Sequence, residues 1–401
     1  MSAPRTGPRS SRGQAQLLTS SLSCFPYTKW RESWRDYGAI SCKLWYAVFM
    51  FQPHYTISNK LLNTVAQIEA YRVRTDTSAI LPEREIEMRH RSTVDATHDS
   101  TSIEGNPLTR KQVEAVLSGE RLTRHRYAQR EVSNYRAALD YIEKRRGAGL
   151  PLQVADLLEL HRLTMLDLLP AEKTGQYRSG EIFVVDHGDR VAYTGTAPHE
   201  VAEKVDELIE WLAERSENLN PVIASGILHY QLVSIHPFAN GNGRTTRLAT
   251  ACYLGLRDYD FRASIVLDSY YAANRREYYA ALQQGHGTRY AEGRDLTEWL
   301  NYFAVGFLSS AKVLWTEVSL LSEAAGRLND ARRPVRRLTA EQTDLLSYVQ
   351  RFGDISVSEA QSILPQLSRR SVQRVLAGLV QDGLLATEGA GRSVRYAPPK
   401  K

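Results

Sequence analysis

The sequence predicts a mainly α-helical protein whose body contains one β-hairpin and whose C-terminus forms a small α+β unit. Apolar residues recur at helical spacing along most of the chain, and only two short runs are rich in β-branched and aromatic residues. The composition, with 42% hydrophobic and 24% charged residues, is that of a globular protein. A length of 401 residues suggests two or three domains.

The composition also disfavours several classes of protein. No apolar run approaches the roughly 20 residues that a membrane-spanning helix needs, so we expect no membrane association. The three cysteines, Cys24, Cys42 and Cys252, have no paired spacing that would indicate a disulfide framework or a zinc site. We therefore expect a cytoplasmic protein in a reducing environment.

The first 49 residues differ from the rest of the chain. Their opening segment is rich in Pro, Gly, Ser and Arg and lacks apolar periodicity, which predicts a disordered extension over residues 1–49. This segment holds seven Lys or Arg against two acidic residues. It is either a flexible tail or an extension upstream of a natural start at Met50.

The helices of the body follow from apolar residues at helical spacing. In order they are Asn59–Arg74, a segment after Thr109, Glu131–Arg145, Val154–Leu168, Pro198–Arg215, Val222–Ser234 and Gly243–Leu256. The first three belong to a predicted N-terminal helical region, residues 50–150, and the others to a core, residues 151–310. Within the core, Ile182–Val185 and Arg190–Tyr193 flank an Asp-His-Gly-Asp turn and predict the hairpin.

A connecting helix or linker, residues 311–337, leads to a last unit, residues 338–398. Its elements are predicted from caps and apolar spacing. They are a helix from Thr339 to Phe352, a short helix from Ser356 or Ser358 to Leu364, a helix over Arg369–Asp382, and strands over Leu384–Thr387 and Ser393–Tyr396. This order resembles the winged helix-turn-helix.

The segment from His236 to Arg247 carries the chemistry. Gly241 and Gly243 precede a helix, and a glycine-rich turn at a helix start presents free N–H groups to an anion. Arg244 and Arg247 are three residues apart and share a helix face, where two guanidinium groups suit a polyphosphate. His236, at the other end of the loop, has the pKa range of a general base.

This segment, His-Pro-Phe-Ala-Asn-Gly-Asn-Gly-Arg-Thr-Thr-Arg, resembles the motif of the Fic/Doc family. Members of that family most often transfer AMP from ATP to a Ser, Thr or Tyr hydroxyl of a protein target. The resemblance implies a Fic-type helical core whose hairpin is the family's flap. It implies that His236 is the catalytic base and that Arg247 holds the γ-phosphate. The remaining anion hole, for the α- and β-phosphates, is implied at Gly241, Asn242, Gly243 and Arg244.

Asn240 departs from the family pattern, which has an acidic magnesium ligand at this position. An amide oxygen still coordinates a hard cation but brings no negative charge. We therefore expect weak Mg²⁺ binding through Asn240, with the nucleotide phosphates supplying most ligands. A different nucleotide, a slower reaction and an inactive enzyme remain open, and the intact His236, Arg244 and Arg247 favour activity.

A second segment, Ser100-Thr101-Ser102-Ile103-Glu104-Gly105, matches the family's inhibitory motif. The resemblance implies that Ser100, Glu104 and Gly105 form an inhibitory element in which Glu104 pairs with Arg247. A carboxylate on that guanidinium would displace the γ-phosphate and misplace the α-phosphate. Taken alone, the same spacing would indicate only a helix start.

Further roles are implied with less support from the residues themselves. Gly175-Gln176-Tyr177-Arg178 precedes the hairpin and also looks like this family, whose flap pairs with an extended segment of the target. An aromatic-rich helix pair follows the motif. There the resemblance places the nucleoside pocket at Tyr271, Asn274 and Tyr279, with core packing as the alternative.

The last unit presents a basic surface, for which DNA binding and protein contacts are both open. The residues of this surface are Arg369, Arg370, the neutral Gln373 and Arg374 on the third helix and Arg392 and Arg395 on the wing. The leading hypothesis is an ATP-using protein adenylyltransferase that is autoinhibited by Glu104. The alternatives are a nucleotide-sensing DNA-binding regulator and a Fic enzyme that removes AMP or transfers another phosphate-containing group. A homodimer is compatible with the sequence.

Overall fold

The computed structural model describes residues 51–146, 150–185, 190–327, 338–389 and 394–399. Predictions about the extension, residues 1–49, the hairpin turn, residues 186–189, most of the linker, residues 328–337, and Arg392 lie outside the described residues.

Four helices form the N-terminal region. They are α1 Asn59–Thr77, α2 Pro82–Ile103, α3 Arg110–Leu117 and α4 Arg126–Arg146. Apolar spacing does not predict α2, because the face that α2 buries includes the polar residues Glu85, Thr97 and Ser100. Its start at Pro82 follows the usual rule, since proline at the first helical position loses no hydrogen bond.

The core is built around one fully buried helix. Its elements are α5 Val154–Met165, β1 Phe183–Val185, β2 Val191–Thr194, α6 Val201–Arg215, α7 Pro221–Ile235 and α8 Asn242–Leu256. α7 is mostly apolar, is buried on all sides and packs against α8. α5 is shorter than predicted because Asp167, just beyond its end, has a left-handed φ of 57°. Pro198 begins a separate 3₁₀ turn, Pro198–Glu200, ahead of α6.

Three helices follow, α9 Asp268–Ala273, α10 Arg275–His286 and α11 Thr297–Arg327, and the first two confirm the predicted aromatic helix pair. By length and composition alone, α11 could cross a membrane, so the prediction that no apolar stretch approaches that length was wrong. One face of α11, including Trp299, Phe303 and Phe307, is buried in the core. A core helix of a soluble protein satisfies the same criterion, and the predicted domain boundary at residue 310 falls inside α11.

The C-terminal unit contains α12 Ala340–Phe352, β3 Ile355–Ser356, α13 Val357–Ile363, α14 Arg369–Gln381, β4 Ala386–Glu388 and β5 Arg395–Ala397. Thr339 caps α12, and Ser356 rather than Ser358 caps α13, each in a capping box. The strands form an antiparallel sheet in the order β3-β5-β4, of which the sequence does not predict the two-residue β3. The unit has its own apolar core, to which Ile86 of α2 contributes.

Candidate active site

The loop between α7 and α8 reverses the chain through two left-handed residues. His236, which ends α7, has φ 54° and ψ 60°, and Gly241, which precedes α8, has φ 76°. The side chain of Asn242 closes the loop, because its Oδ1 accepts from Phe238 N at 2.8 Å and its Nδ2 donates to Phe238 O at 2.7 Å. Asn242 therefore holds the loop together through its side chain, and only its backbone N–H remains for an anion.

The start of α8 offers an anion site of backbone groups. The first hydrogen bond of the helix runs from Thr245 N to Gly241 O at 2.9 Å. The N–H groups of Asn242, Gly243 and Arg244 consequently have no acceptor within the helix. Together with the positive end of the helix dipole, they favour a negatively charged group at this position.

His236 is held in the tautomer that a general base requires. Its Nδ1 lies 3.1 Å from Val233 O, and because a carbonyl can only accept, Nδ1 carries the proton and Nε2 carries the lone pair. The ring is half-buried, and its burial lowers the pKa of His236 to about 4, so the imidazole is neutral at pH 7. The site residue thus has the charge and tautomer that proton removal needs.

Arg247 is surrounded by acceptors from the inhibitory motif. Its Nη2 donates to Glu104 Oε1 and to Ser100 O, both at 2.9 Å, and its Nε donates to Ser100 Oγ at 2.8 Å. A second carboxylate, Asp268 Oδ1, lies 3.1 Å from Nε. The structure thus brings together Ser100, Glu104 and Arg247 as the sequence predicts, and it adds Asp268, which the sequence does not single out.

The Glu104 carboxylate also lies against the start of α8. A Cβ atom built on Gly243 would collide with Glu104 Oε1, so glycine is what allows this approach. Burial by itself would raise the pKa of Glu104, but Arg247, Arg244 and Arg275 outweigh it and hold that pKa below its ordinary value. Glu104 is therefore an anion seated where the free N–H groups and Arg247 converge. Gly105 follows it with φ 95° and turns the chain away.

Arg244 is bound by a carboxylate from another helix. Its Nη1 pairs with Glu131 Oε1 of α4, and both side chains are almost fully buried. Glu131 Oε2 accepts from Asn106 Nδ2 at 2.7 Å, which ties the residues after the inhibitory motif to the same carboxylate. Sequence reasoning missed Glu131, because nothing local distinguishes it from other acidic residues on helices.

A buried histidine, His161, contacts the loop through a hydrogen bond and through ring stacking. His161 Nδ1 accepts from Gly175 N at 2.9 Å, so its Nε2 carries the proton and donates to Asn240 O at 3.1 Å. The ring stacks on Phe238 at 3.9 Å between centroids. Burial lowers the pKa of His161 to about 4, which keeps this arrangement neutral. The sequence did not single out His161, because a lone histidine on a helix carries no distinctive signal.

The three predicted nucleoside-pocket residues occupy different environments. Tyr271 is 2% exposed and stacks on Tyr278 at 4.7 Å, which places it in the core. Asn274 Nδ2 donates to Tyr270 O at 2.8 Å at the end of α9. Tyr279, 44% exposed and near the Arg275 guanidinium, is the one of the three with a ring open to a ligand.

The residues at Asn240 do not form a metal site on their own. Asn240 is exposed, and its Oδ1 already accepts from Gly241 N at 2.6 Å. Within the described ranges no group of three His, Cys, Asp or Glu residues could hold a metal ion. One neutral oxygen supplies only one of the six ligands that Mg²⁺ requires, so the nucleotide phosphates would have to supply most of the others.

A family model described as the Fic/DOC family matches residues 151–254, which include the loop and both arginines. Residues 151–254 are therefore similar to a Fic domain. Two curated proteins named protein adenylyltransferase Fic are similar to this chain. The chain is 32% identical to the protein from Drosophila willistoni over 158 residues and 30% identical to the protein from Nematostella vectensis over 199 residues. These alignments span 38% and 47% of this chain but only 30% and 43% of the relatives' length.

Solved structures share the fold over a larger part of the chain. A Fic family protein from Desulfovibrio desulfuricans superposes with a TM-score of 0.57 at 24% identity, covering 88% of this chain and 99% of that one. Fic-1 from C. elegans superposes with a TM-score of 0.53 at 21% identity, covering 71% and 76% of the two chains. At these identities the likeness establishes the fold.

Proposed function

We propose that this protein is a protein adenylyltransferase that is autoinhibited by Glu104. Its substrates are ATP and a protein with an accessible Ser, Thr or Tyr hydroxyl. The proposal rests on two features of one loop. His236 is neutral with its lone pair on Nε2, and beside it the α8 N–H groups and Arg247 form an anion site. The adenylyltransferase name of the curated relatives supports the same activity.

The reaction follows from these groups. His236 Nε2 takes the proton of the acceptor hydroxyl as its oxygen bonds to the α-phosphorus of ATP. The bond between the α-phosphorus and the bridging oxygen breaks, AMP remains on the acceptor, and diphosphate leaves. The N–H groups at the start of α8, with Arg244 and Arg247, stabilise the negative charge of the phosphates.

Autoinhibition follows from competition for one position. Glu104 Oε1 lies on Arg247 and against Gly243, so the γ-phosphate and the carboxylate cannot both occupy this site. Two adjacent anions would also repel each other. ATP that is bound beside Glu104 must therefore be displaced from the position that aligns its α-phosphorus with the attacking oxygen.

The test is AMP transfer by the Glu104→Gly variant, incubated with α-labelled ATP and analysed by intact mass. We expect transfer, including onto the protein itself, to rise above wild type, while the exposed-residue control Glu120→Gly stays at the wild-type level. The double variant with His236→Ala should lose transfer and still bind ATP. Unchanged transfer in Glu104→Gly would contradict autoinhibition, and loss of a pre-existing AMP mass would favour the removal of AMP.

DNA binding by the C-terminal unit is the second candidate function. Arg369, Arg370 and Arg374 lie exposed on α14, with no ion pair to any residue in the described ranges. Arg395 contributes less, because it pairs with Asp354 at 2.5 Å and Glu359 at 3.0 Å. The test is a titration with duplex DNA at several salt concentrations. The affinity of the protein for DNA should fall as the salt concentration rises, and it should be lower in the Arg370→Glu variant than in wild type. Binding that is insensitive to both changes would favour a protein partner.

A further inference from the structure

Arg178, which precedes the hairpin, is buried and directs its guanidinium at backbone carbonyls. Nε donates to His236 O at 2.7 Å and Nη1 to Gly180 O at 2.8 Å. Nη2 donates to Thr196 O and, at 3.3 Å, to Ile235 O. Arg178 forms no ion pair with any residue that the structure describes. Its charge is instead balanced by carbonyl dipoles.

Two of these carbonyls belong to the end of α7. The last carbonyls of a helix have no partner within the helix and carry the negative end of its dipole, so a buried cation there is stabilised. His236 is also a non-glycine residue in a left-handed conformation, which is unfavourable unless its surroundings hold it. Arg178 N donates to Pro237 O at 3.0 Å, so Arg178 contacts the chain on both sides of the His236 side chain.

We infer that Arg178 is a positioning residue for the general base. By fixing Ile235 O and His236 O it holds His236 in its left-handed conformation and directs the ring into the site. Through Thr196 O it also links the base to the chain that follows β2. This inference rests on the proposed function, because a positioning role has meaning only if His236 removes a proton.

The test compares Arg178→Lys with wild-type Arg178, both in the Glu104→Gly background. A lysine ammonium group cannot donate to all four of these carbonyl oxygens at once, so the His236 ring should shift. We expect kcat to fall about 100-fold, which is the loss that a misplacement of a catalytic group by about 1 Å can cause. The KM for ATP should stay within a few-fold, since the α8 N–H groups and Arg247 are untouched. Arg121→Lys, at an exposed position, is the matched control.

The outcomes separate the possible failures. An unchanged kcat in Arg178→Lys, with ATP binding intact, would overturn the positioning role. An equal rise in the KM for ATP would instead indicate a general loss of structure, and a thermal melt of Arg178→Lys bound to ATP checks this directly. If Glu104→Gly itself transfers no AMP, the proposed function fails, and the positioning role fails with it.

A second, independent observation concerns the two ends of α2. Near its start, Arg89 donates to Leu338 O and to Thr343 Oγ1 of the C-terminal unit, both at 2.8 Å. Arg89 also pairs with the fully buried Glu85 at 2.7 Å. At the other end of the same helix lie Ser100 and Glu104, which bind Arg247. One helix, about 30 Å long at 1.5 Å per residue, therefore joins the C-terminal unit to the inhibitory carboxylate.

A cavity beside α2 leaves room for the unit to move. It has a volume of about 560 Å³, and its lining includes Thr343 and Asp344 of the C-terminal unit together with Arg247 and Asp268. A displacement of α12 therefore meets space where a tightly packed interior would resist it. The contacts that would break include the hydrogen bonds of Arg89, the one from Leu338 N to Glu85 Oε1, and the packing of Ile86.

We propose that docking of the C-terminal unit on the start of α2 keeps Glu104 in its inhibitory position. This proposal also rests on the proposed function and names the regulation of the same site. The coupling is the difference in free energy between the docked and undocked states. Couplings of this kind typically change an equilibrium constant by about 5-fold or more.

Two variants weaken the docking from opposite sides, Ile86→Asp on α2 and Thr343→Val on α12. We expect each to raise AMP transfer about 5-fold or more over wild type and to increase hydrogen exchange along α2. Neither should raise transfer further in the Glu104→Gly background. The exposed-residue control Gln350→Ala on α12 should behave as wild type.

Two results would overturn this regulation. In one, hydrogen exchange shows a loosened C-terminal unit while AMP transfer stays at the wild-type level. In the other, the gain persists in full on top of Glu104→Gly, so it does not act through Glu104. If Glu104→Gly is inactive as well, the failure lies with the proposed function instead.

Discussion

The two arginines of the motif, Arg244 and Arg247, are both buried and both paired with glutamates, yet their partners differ. Glu131, the partner of Arg244, has an 8% exposed side chain and lies in the second turn of α4. Glu104, the partner of Arg247, has a 27% exposed side chain and lies at the end of α2. The first carboxylate is part of the interior, whereas the second can leave without opening the core.

Arg247 has a second carboxylate partner, whereas Arg244 is paired with Glu131 alone among the residues that the structure describes. When Glu104 leaves, Asp268 Oδ1 still lies 3.1 Å from Arg247 Nε and keeps the guanidinium in place. This difference supports the proposal that Glu131 and Asp268 hold the two arginines permanently in place and that Glu104 regulates the site. A removable counterion needs a permanent neighbour, because an unpaired buried charge is strongly destabilising.

The largest effect is expected from Glu131→Ala. Removing one partner of a buried ion pair leaves Arg244 uncompensated, which typically costs about 3–5 kcal/mol of unfolding free energy. Denaturant unfolding should show this loss, and Glu131→Gln should lose less because its amide can still accept a hydrogen bond. If Glu131→Ala were as stable as Glu104→Gly, the two carboxylates would not differ in their contribution to stability.

A smaller effect is expected from Asp268→Asn, and its size should depend on Glu104. In wild type, Glu104 still neutralises Arg247, so ATP binding should change little. In the Glu104→Gly background Asp268 is the remaining counterion, and its loss should weaken the orientation of Arg247 and lower kcat by roughly 10-fold, near 1.4 kcal/mol. Equal effects in both backgrounds would show that the two carboxylates act independently.

The pH dependence tests the environment of the base. Burial lowers the pKa of His236 to about 4, and a base works only when unprotonated. Transfer by Glu104→Gly should therefore be lost as the pH falls through about 4, rather than through the ordinary histidine range near 6.5. The measurement is the acid limb of kcat/KM. An acid limb near 6.5 would place the ring in a more open setting than the structure gives it.

The smallest change is expected at Asn240, the exposed end of the loop. Asn240→Asp adds a negative charge beside the phosphates, so the Mg²⁺ concentration that gives half-maximal transfer should fall. Asn240→Ser, which adds no charge, is the control. A magnesium titration that is identical in all three proteins would remove Asn240 from the cation's surroundings.

Local features made much of this structure predictable. The periodic helices of the core, the caps at Thr339 and Ser356, and the loop from His236 to Arg247 depend on residues close in sequence. Glu131, Asp268 and Arg178 do not, because each reaches its partner across a long stretch of chain, and an acidic or basic residue carries no local mark of its partner. The helix α2 escaped prediction for a related reason, since it buries polar residues that only the assembled fold can satisfy.

The central claim is that Glu104 occupies the place of the γ-phosphate on Arg247. Calorimetric titration of wild type and Glu104→Gly with ATP and with ADP tests it most directly, because ADP lacks that phosphate. We expect the removal of Glu104 to tighten ATP binding much more than ADP binding. Equal tightening of both nucleotides, or of neither, would contradict it.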